Sequence, residues 1–442
     1  MIDWRQNQGA KLYQHARQRI PGGTQLLSKR PEMFLPEQWP AYYSRCKGCE
    51  VWDLEGRRLV DMTTGGIGTC PLGYADDDVN AAVKAAIDGG SMCTLNSPAE
   101  VELADLLCRI HPWASMVRYT RCGGEAMAVA VRIARAFTGR DKVAFCGYHG
   151  WQDWYLAANL ADDKNLDGHL LPGLEPRGLP RGLLGTALPF RYNQIEELEA
   201  IAARHGQELA AVVMEPIRWD MPKDNFLQRA KDIAGKAGAV LVFDEITVGW
   251  RLAIGGAHLP LGVQPDMAVF AKAMSNGFPM AAIIGTEPVM QAARTSFVSS
   301  TYWTEAIGPT AAVAAIAKMQ RIGLPKILAQ AGTAVMEGWR RLARKHDFRL
   351  NPGGHPSICH FSLDYGEDSQ TILTLLTQGM LDRGYLTSAA FYPTATHTQP
   401  VIGEYLAALD EVLAVVKDAI DKKKVRQLLR GPVAHKGFRR LN

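Results

Sequence analysis

The chain has 442 residues, 47% of them apolar and 21% charged, the balance of a globular protein with room for one large domain and a smaller one. Its net charge of +4 excludes a dedicated nucleic-acid binder, whose basic residues gather on one face. No run of about 18 uncharged apolar residues occurs, so no membrane-spanning helix is expected.

Residues 1–20 read as an amphipathic helix stopped by Pro21-Gly22-Gly23. This opening segment is polar and has no hydrophobic signal core, which predicts a cytosolic protein. The eight cysteines are scattered, as free thiols are. Cys46 and Cys49 make a single CxxC, whereas a structural zinc site wants two such pairs or added histidines. No metal is expected. Residues 41–62 alternate enough to predict a β-hairpin turning at Glu55-Gly56.

From about residue 100 the pattern becomes strand, helix, strand, helix. Helical spacing runs through Ala99–Ile110 and Glu125–Thr138. Short β-rich runs follow at 143–146, 210–214, 240–243 and 267–270. This alternation predicts an α/β fold with a mostly parallel sheet. Residues 160–190 are rich in Gly, Leu and Pro and read as a long surface loop. Residues 310–345 read as helical, and the remainder mixes short strands with helices. The basic stretch Lys422-Lys423-Lys424, with Arg426 and Arg430, reads as the solvated face of a last helix. The expected division is an N-terminal segment over 1–60, a large domain over 61–320 and a small one over 321–442, with the N-terminal segment packing on the small domain.

Three apolar runs end in a reactive side chain: the first in Glu215, the second in Asp244, the third in Lys272. Each is about one βαβ unit from the next. Parallel neighbours would bring all three side chains to the carboxyl edge of the sheet, where open α/β folds bind ligands. An aspartate after an apolar run is by itself more often a helix cap, and a lysine by itself more often a solvated group. The joint occurrence in register is what makes a catalytic cluster. Thr120-Arg-Cys-Gly-Gly-Glu125 opens a helix with two glycines, and free N–H groups at such a start favour a phosphate. Gly147-Tyr148-His149-Gly150 follows a strand directly, so its tyrosine could stack on a flat ring or simply be half-buried.

These segments together resemble the class III aminotransferases, of the fold-type I superfamily that uses pyridoxal 5′-phosphate (PLP). Within that family the chain is most similar to the glutamate-1-semialdehyde aminomutase branch. The resemblance runs from Pro21 to about Ala419. It is carried by Phe243-Asp-Glu-Ile-Thr-Val-Gly-Trp-Arg251, by Ala271-Lys272 with Gly277 and Pro279, by Gly147-Tyr-His-Gly, and by Gly123-Gly-Glu-Ala-Met-Ala-Val-Ala-Val-Arg-Ile-Ala-Arg135. It implies a large domain with a seven-stranded, mostly parallel sheet and a smaller α+β domain.

The resemblance also implies residue roles. Lys272 would hold the cofactor as a Schiff base and move the substrate proton. Asp244 would keep the ring nitrogen protonated. Tyr148 would stack on one ring face and Ile246 would press on the other, with His149 counted among the cofactor contacts. Cys122, Gly123 and Gly124 would give backbone donors to the phosphate, and Glu215 would stand near the ring hydroxyl. Ser299-Ser-Thr-Tyr-Trp-Thr304 matches the loop that reaches the partner subunit's phosphate, through Thr304 or Thr301. That contact implies a homodimer with shared sites, acting on a small amino donor and a carbonyl acceptor.

Departures from the pattern also stand out. Gly124 occupies a position that usually holds Ser or Thr. Ile67 replaces a tryptophan of the aminomutase branch, and Tyr392 replaces a glutamate. Lys29 or Arg30 would grip a substrate carboxylate, and Arg218 and Trp219 are candidates to line the pocket. The expected function is amino transfer. A PLP aminomutase or lyase is the alternative, and a non-catalytic PLP-binding protein is a remote one, because Lys272 and Asp244 are both intact.

Overall fold

The computed structural model describes residues 4–169, 172–218 and 220–437. The chain divides into two compact units, one formed by Asp77–Pro325 and the other by Met1–Asp76 together with Lys326–Asn442.

The unit Asp77–Pro325 is built on a seven-stranded sheet. In chain order its strands are β1 (Met116–Thr120), β2 (Lys142–Cys146), β3 (Ala187–Pro189), β4 (Leu209–Met214), β5 (Val240–Asp244), β6 (Met267–Phe270) and β7 (Ala281–Gly285). Across the sheet they lie in the order β1-β7-β6-β5-β4-β2-β3. Strand β7 runs antiparallel to both of its neighbours. The remaining pairings are parallel, as the alternation of elements predicts.

The central strands are apolar on both faces because both faces are covered. Val143 and Phe145, Ala211 and Val213, and Val240 and Val242 pack in one cluster with Ala126, Ala130 and Ile133 of the helix Gly123–Thr138. Their alternates Ala144, Cys146, Val212, Met214, Leu241 and Phe243 pack in another. That second cluster also holds Leu198 of the helix Ile195–His205 and Ala230 of the helix Phe226–Ala237. A period of two along each strand thus sorts the side chains into two cores.

Three of the seven strands are additional to the expected ones. Strand β3 closes the stretch read as a long loop, where Ala187 pairs with Val143 at the sheet edge. Its proline is tolerated because an edge strand can spare a ladder donor. Strands β1 and β7 pair with each other. The helical stretch at 310–345 is two helices, Ile307–Ile322 and Leu324–Lys345. They meet at Gly323, whose φ of +63° closes the first one.

In the other unit the expected hairpin is present, with Glu50–Asp53 paired to Arg58–Met62. Tyr43–Lys47 adds a strand on one side, and Tyr385–Thr387 pairs in parallel on the other. Beyond that pairing, the Tyr392 N–H donates to the Thr63 carbonyl at 2.9 Å and the Ala395 N–H to the Pro71 carbonyl at 2.8 Å, and residues up to Asp76 group with the C-terminal part, a later boundary than the expected one at 60. A second sheet comprises Leu350–Gly353, Cys359–Leu363 and Ala390–Phe391. The core of this unit holds Trp339, Phe361, Phe391 and Tyr405, and the Trp339 indole donates to the Tyr405 hydroxyl at 3.0 Å. Cys46 and Cys49 lie here as free thiols, pushed above the usual thiol range mainly by burial. Among the described residues no helix is long and apolar enough to cross a membrane.

Candidate active site

Strands β4, β5 and β6 are consecutive parallel neighbours, so their carboxyl ends open on one edge. Glu215 follows β4, Asp244 ends β5, and Lys272 follows β6 with only Ala271 between. The structure therefore brings the three side chains to the same edge.

Lys272 has a φ of +44°. A left-handed lysine is an uncommon backbone state, held only where the surroundings over-determine it. Its amine donates to the Thr247 hydroxyl at 3.0 Å. Burial drives its pKa below the usual lysine range. The Asp244 and Glu215 carboxylates oppose that shift, and Arg251 adds to it. A buried amine of this kind is poised to lose its proton and act as a nucleophile.

Asp244 is buried, and its two oxygens are already engaged. Oδ1 accepts the Ile246 N–H at 3.0 Å. Oδ2 lies 2.7 Å from His149 Nδ1. The other ring nitrogen of His149 lies 3.1 Å from the Cys146 carbonyl oxygen. A carbonyl can only accept, so His149 Nε2 donates to it, and one further proton is shared across the short Nδ1···Oδ2 contact. His149 is thereby a buried partner that aims and holds the carboxylate.

The turn after Asp244 is fixed by a second buried set. Glu245 accepts the His258 N–H at 2.9 Å and the Ala257 N–H at 2.9 Å, and lies 2.7 Å from His258 Nδ1. The Trp113 indole donates to His258 Nε2 at 3.0 Å, which leaves Nδ1 as the protonated nitrogen facing Glu245. The turn also packs tightly on the sheet. A Cβ on Gly249 would stand 2.9 Å from Phe270.

Glu215 accepts the Tyr148 N–H at 3.2 Å. Arg218 approaches the same oxygen at 3.4 Å. Burial raises the Glu215 carboxyl above the usual range, with Arg218 pulling the other way. Arg218 also donates to the His169 carbonyl, while His169 Nδ1 accepts the Gly147 N–H at 3.2 Å. Burial pushes His169 down to about 4, so it accepts as a neutral ring. These contacts pin the turn 147–150, and Tyr148 on it is 41% exposed, leaving its ring open to a ligand.

The helix start is close to this set. A Cβ on Gly123 would stand 2.8 Å from Ile246 Cδ1, so the glycine lets the Asp244 turn approach the helix. Cys122 departs from its expected role as a phosphate donor. Its N–H donates to Glu125 Oε2 at 3.2 Å, in a capping box. The N–H groups of Gly123 and Gly124 take no partner among the described residues, and they remain as the available pair.

Thr304 ends a short 3₁₀ turn, Thr301–Thr304. Its hydroxyl donates to the Thr301 carbonyl at 3.2 Å and lies 4.0 Å from Met92 Sδ. Its contacts are thus not with the Lys272 cluster. Lys29, Arg30, Ile67 and Tyr392 belong to the other unit, and Trp219 lies outside the described residues.

Comparison with known families finds a match to aminotransferase class-III over residues 36–410. The chain belongs to the class-III aminotransferase family. It is therefore a PLP-dependent enzyme of amino-group chemistry, and its curated relatives span both transfer and mutase activities. The chain is 31% identical over 329 residues to a 3-aminobutyryl-CoA aminotransferase of Cloacimonas acidaminovorans, covering 73% of this chain and 75% of that one. It is 31% identical over 435 residues to a glutamate-1-semialdehyde 2,1-aminomutase of Dechloromonas aromatica, covering 92% and 99%. It shares its fold with the crystal structure of an omega-transaminase from Sphaerobacter thermophilus, at a TM-score of 0.82, 24% identity, and 93% and 98% coverage.

The residues present fit the family's cofactor. PLP needs an amine for its aldehyde, a carboxylate for its ring nitrogen and donors for its phosphate. Lys272, Asp244 and the N–H pair of Gly123 and Gly124, unpartnered among the described residues, are groups of those kinds and would hold it. His149's grip on Asp244, Thr247 beneath Lys272 and the Cys122–Glu125 box were not assigned those tasks from the sequence. None of these has a clear local signal, since cysteine is not a usual capping residue.

Proposed function

We propose that this chain is an aminotransferase that passes nitrogen from an amino donor to a separate carbonyl acceptor, with Lys272 as its catalytic amine. One observation carries the assignment of roles: a half-buried lysine and a buried, already oriented aspartate stand at the carboxyl ends of adjacent parallel strands. When bound, PLP supplies an electron sink that makes the proton on the carbon beside the amino nitrogen acidic. Lys272 would hold the cofactor through its aldehyde and, as a free amine, would carry that proton from one atom to another. Asp244 would hold the proton on the ring nitrogen, with His149 keeping its carboxylate in place. Tyr148 and Ile246 would cover the two ring faces, and Glu215 would stand at the hydroxyl side. Transfer is preferred over mutase chemistry because Ile67 and Tyr392 depart from the aminomutase pattern.

The test is a half-reaction screen. Full-length protein loaded with PLP is mixed with a panel of amines and its visible absorbance followed. At least one donor should bleach the band. Its nitrogen-15 label should stay with the protein through gel filtration and pass to a carbonyl compound added afterwards. A mutase would return the label only to the donor's own carbon skeleton. A protein that no amine bleaches would end the aminotransferase reading.

We infer further that the enzyme works in the cytosol as a homodimer with shared sites. The described cysteines are all free thiols, as a reducing compartment allows. The surface around Thr304 supports association. Leu95 is 80% exposed and Tyr302 71% exposed, and their segments adjoin where the Ala306 N–H donates to the Ser91 carbonyl at 2.9 Å. Large exposed apolar side chains grouped in this way mark interaction surfaces. Thr304→Ala is expected to weaken PLP retention by roughly tenfold, the worth of one hydrogen bond to a charged group. Thr301→Ala should leave retention unchanged. Equal retention in wild type and both variants, measured by dialysis, would contradict a phosphate contact from this loop.

A further inference from the structure

Gly124 leaves a gap in the phosphate cradle, and the fold fills it from a different segment. A Cβ built on Gly124 would stand 2.5 Å from Gln152 Nε2 and 2.7 Å from its Oε1. A Cβ on Gly150 would stand 2.4 Å from the same Oε1, and the Gly124 Cα itself lies 3.1 Å from that Gly150 position. The Gln152 amide thus occupies the room that a side chain at 124 would need, and two glycines make that room.

The orientation of the amide is determined by a neighbour. Gln152 Oε1 accepts the Trp151 N–H at 3.1 Å. The amide nitrogen therefore faces away from that contact, and it finds no acceptor among the described residues. It lies against Gly124, whose N–H, like that of Gly123 before it, has no acceptor among the described residues. Three neighbouring donors with nothing to donate to suit an anion with several oxygens. A serine or threonine at 124 would give its hydroxyl from the same place.

We propose that Gln152 is a phosphate-binding residue of the cofactor site, its side-chain NH₂ replacing the hydroxyl that Gly124 lacks. The inference rests on the PLP reading above and assigns a residue which that reading leaves idle. The two positions form an exclusive pair: a side chain at 124 and the amide of Gln152 compete for one space.

The test is a binding cycle on the full-length, cofactor-free chain, read by quenching of tryptophan fluorescence. PLP is titrated beside pyridoxal, which has the same ring and aldehyde but no phosphate. Gln152→Ala is expected to weaken PLP roughly ten- to hundredfold, the range for a hydrogen bond to a charged group, and to leave pyridoxal unchanged. Gly124→Ser in the Gln152→Ala background should recover most of the loss, because the hydroxyl then has both the space and the target. Gln152→Glu keeps the size and puts a negative charge on the phosphate, so it should weaken PLP more than Gln152→Ala and again spare pyridoxal.

An equal loss for both ligands would make Gln152 a prop for the turn 147–150 and overturn the inference. Unchanged PLP affinity in both Gln152 variants would do the same. Wild type that binds pyridoxal and PLP equally removes the phosphate cradle. Wild type that binds neither removes the PLP reading itself, and this inference with it.

Discussion

Lys272→Ala is expected to remove turnover entirely and with it the visible band of the lysine-bound cofactor. The variant loses the nucleophile and the proton carrier in one step, and no neighbour replaces it. Thr247, the hydroxyl at 3.0 Å from the amine, is too weak a base. Borohydride gives the decisive readout. It should fix the cofactor covalently to the wild-type peptide containing residue 272 and leave the variant's mass unchanged. Lys272→Arg should fail equally, since a guanidinium stays protonated. The pH dependence follows from the direction of the shift. Because burial lowers the pKa, the amine is free at a lower pH than an ordinary lysine. Cofactor uptake should rise with pH and level off below the usual lysine range. Attachment at any other lysine would sink the assignment.

Asp244→Asn is expected to bind PLP but turn over more slowly by on the order of 10²–10³-fold, the cost of removing one aimed electrostatic group. The amide cannot hold a proton on the ring nitrogen, so the substrate carbon loses its electron sink. The substitution also removes the buried carboxylate that faces His149. A smaller loss is therefore expected from His149→Asn, which leaves Asp244 charged but less firmly aimed. Single-turnover kinetics separate the two effects. The Asp244 variant should slow proton loss from the substrate carbon, with a larger isotope effect for deuterium at that carbon. An unchanged rate of that step would contradict the role given to Asp244.

The edge that carries these groups was legible because each strand is a short apolar run closed by one ionisable residue, repeated at βαβ spacing. The two-sided burial of β4, β5 and β6 turns that pattern into position. The glycine pair at the helix start was legible for the same kind of reason, since it stands next to a long helical period. Its Cys122 donor was not, because Glu125 takes the N–H and only the capping geometry decides that. His149 and Asp244 meet from segments 95 residues apart, and no local pattern links them. Gln152 was hidden for a further reason. A missing hydroxyl at Gly124 reads as a loss, and only three-dimensional proximity shows what stands in the gap. Strand β3 was concealed by its length and its proline, and β1 by the Arg118 in its middle.

The unit formed by Met1–Asp76 and Lys326–Asn442 has a bearing on biosynthesis. Its strand Tyr385–Thr387 pairs with Val60–Met62, so segments about 325 residues apart must meet. Contacts this distant along a chain form late and slowly. The strand Arg58–Met62 is made long before this partner, while the middle of the molecule folds. That middle, Asp77–Pro325, holds every residue assigned here to the cofactor. A nascent chain can therefore assemble its own share of the cofactor site before its scaffold is complete, and only the contact from the partner subunit has to await assembly.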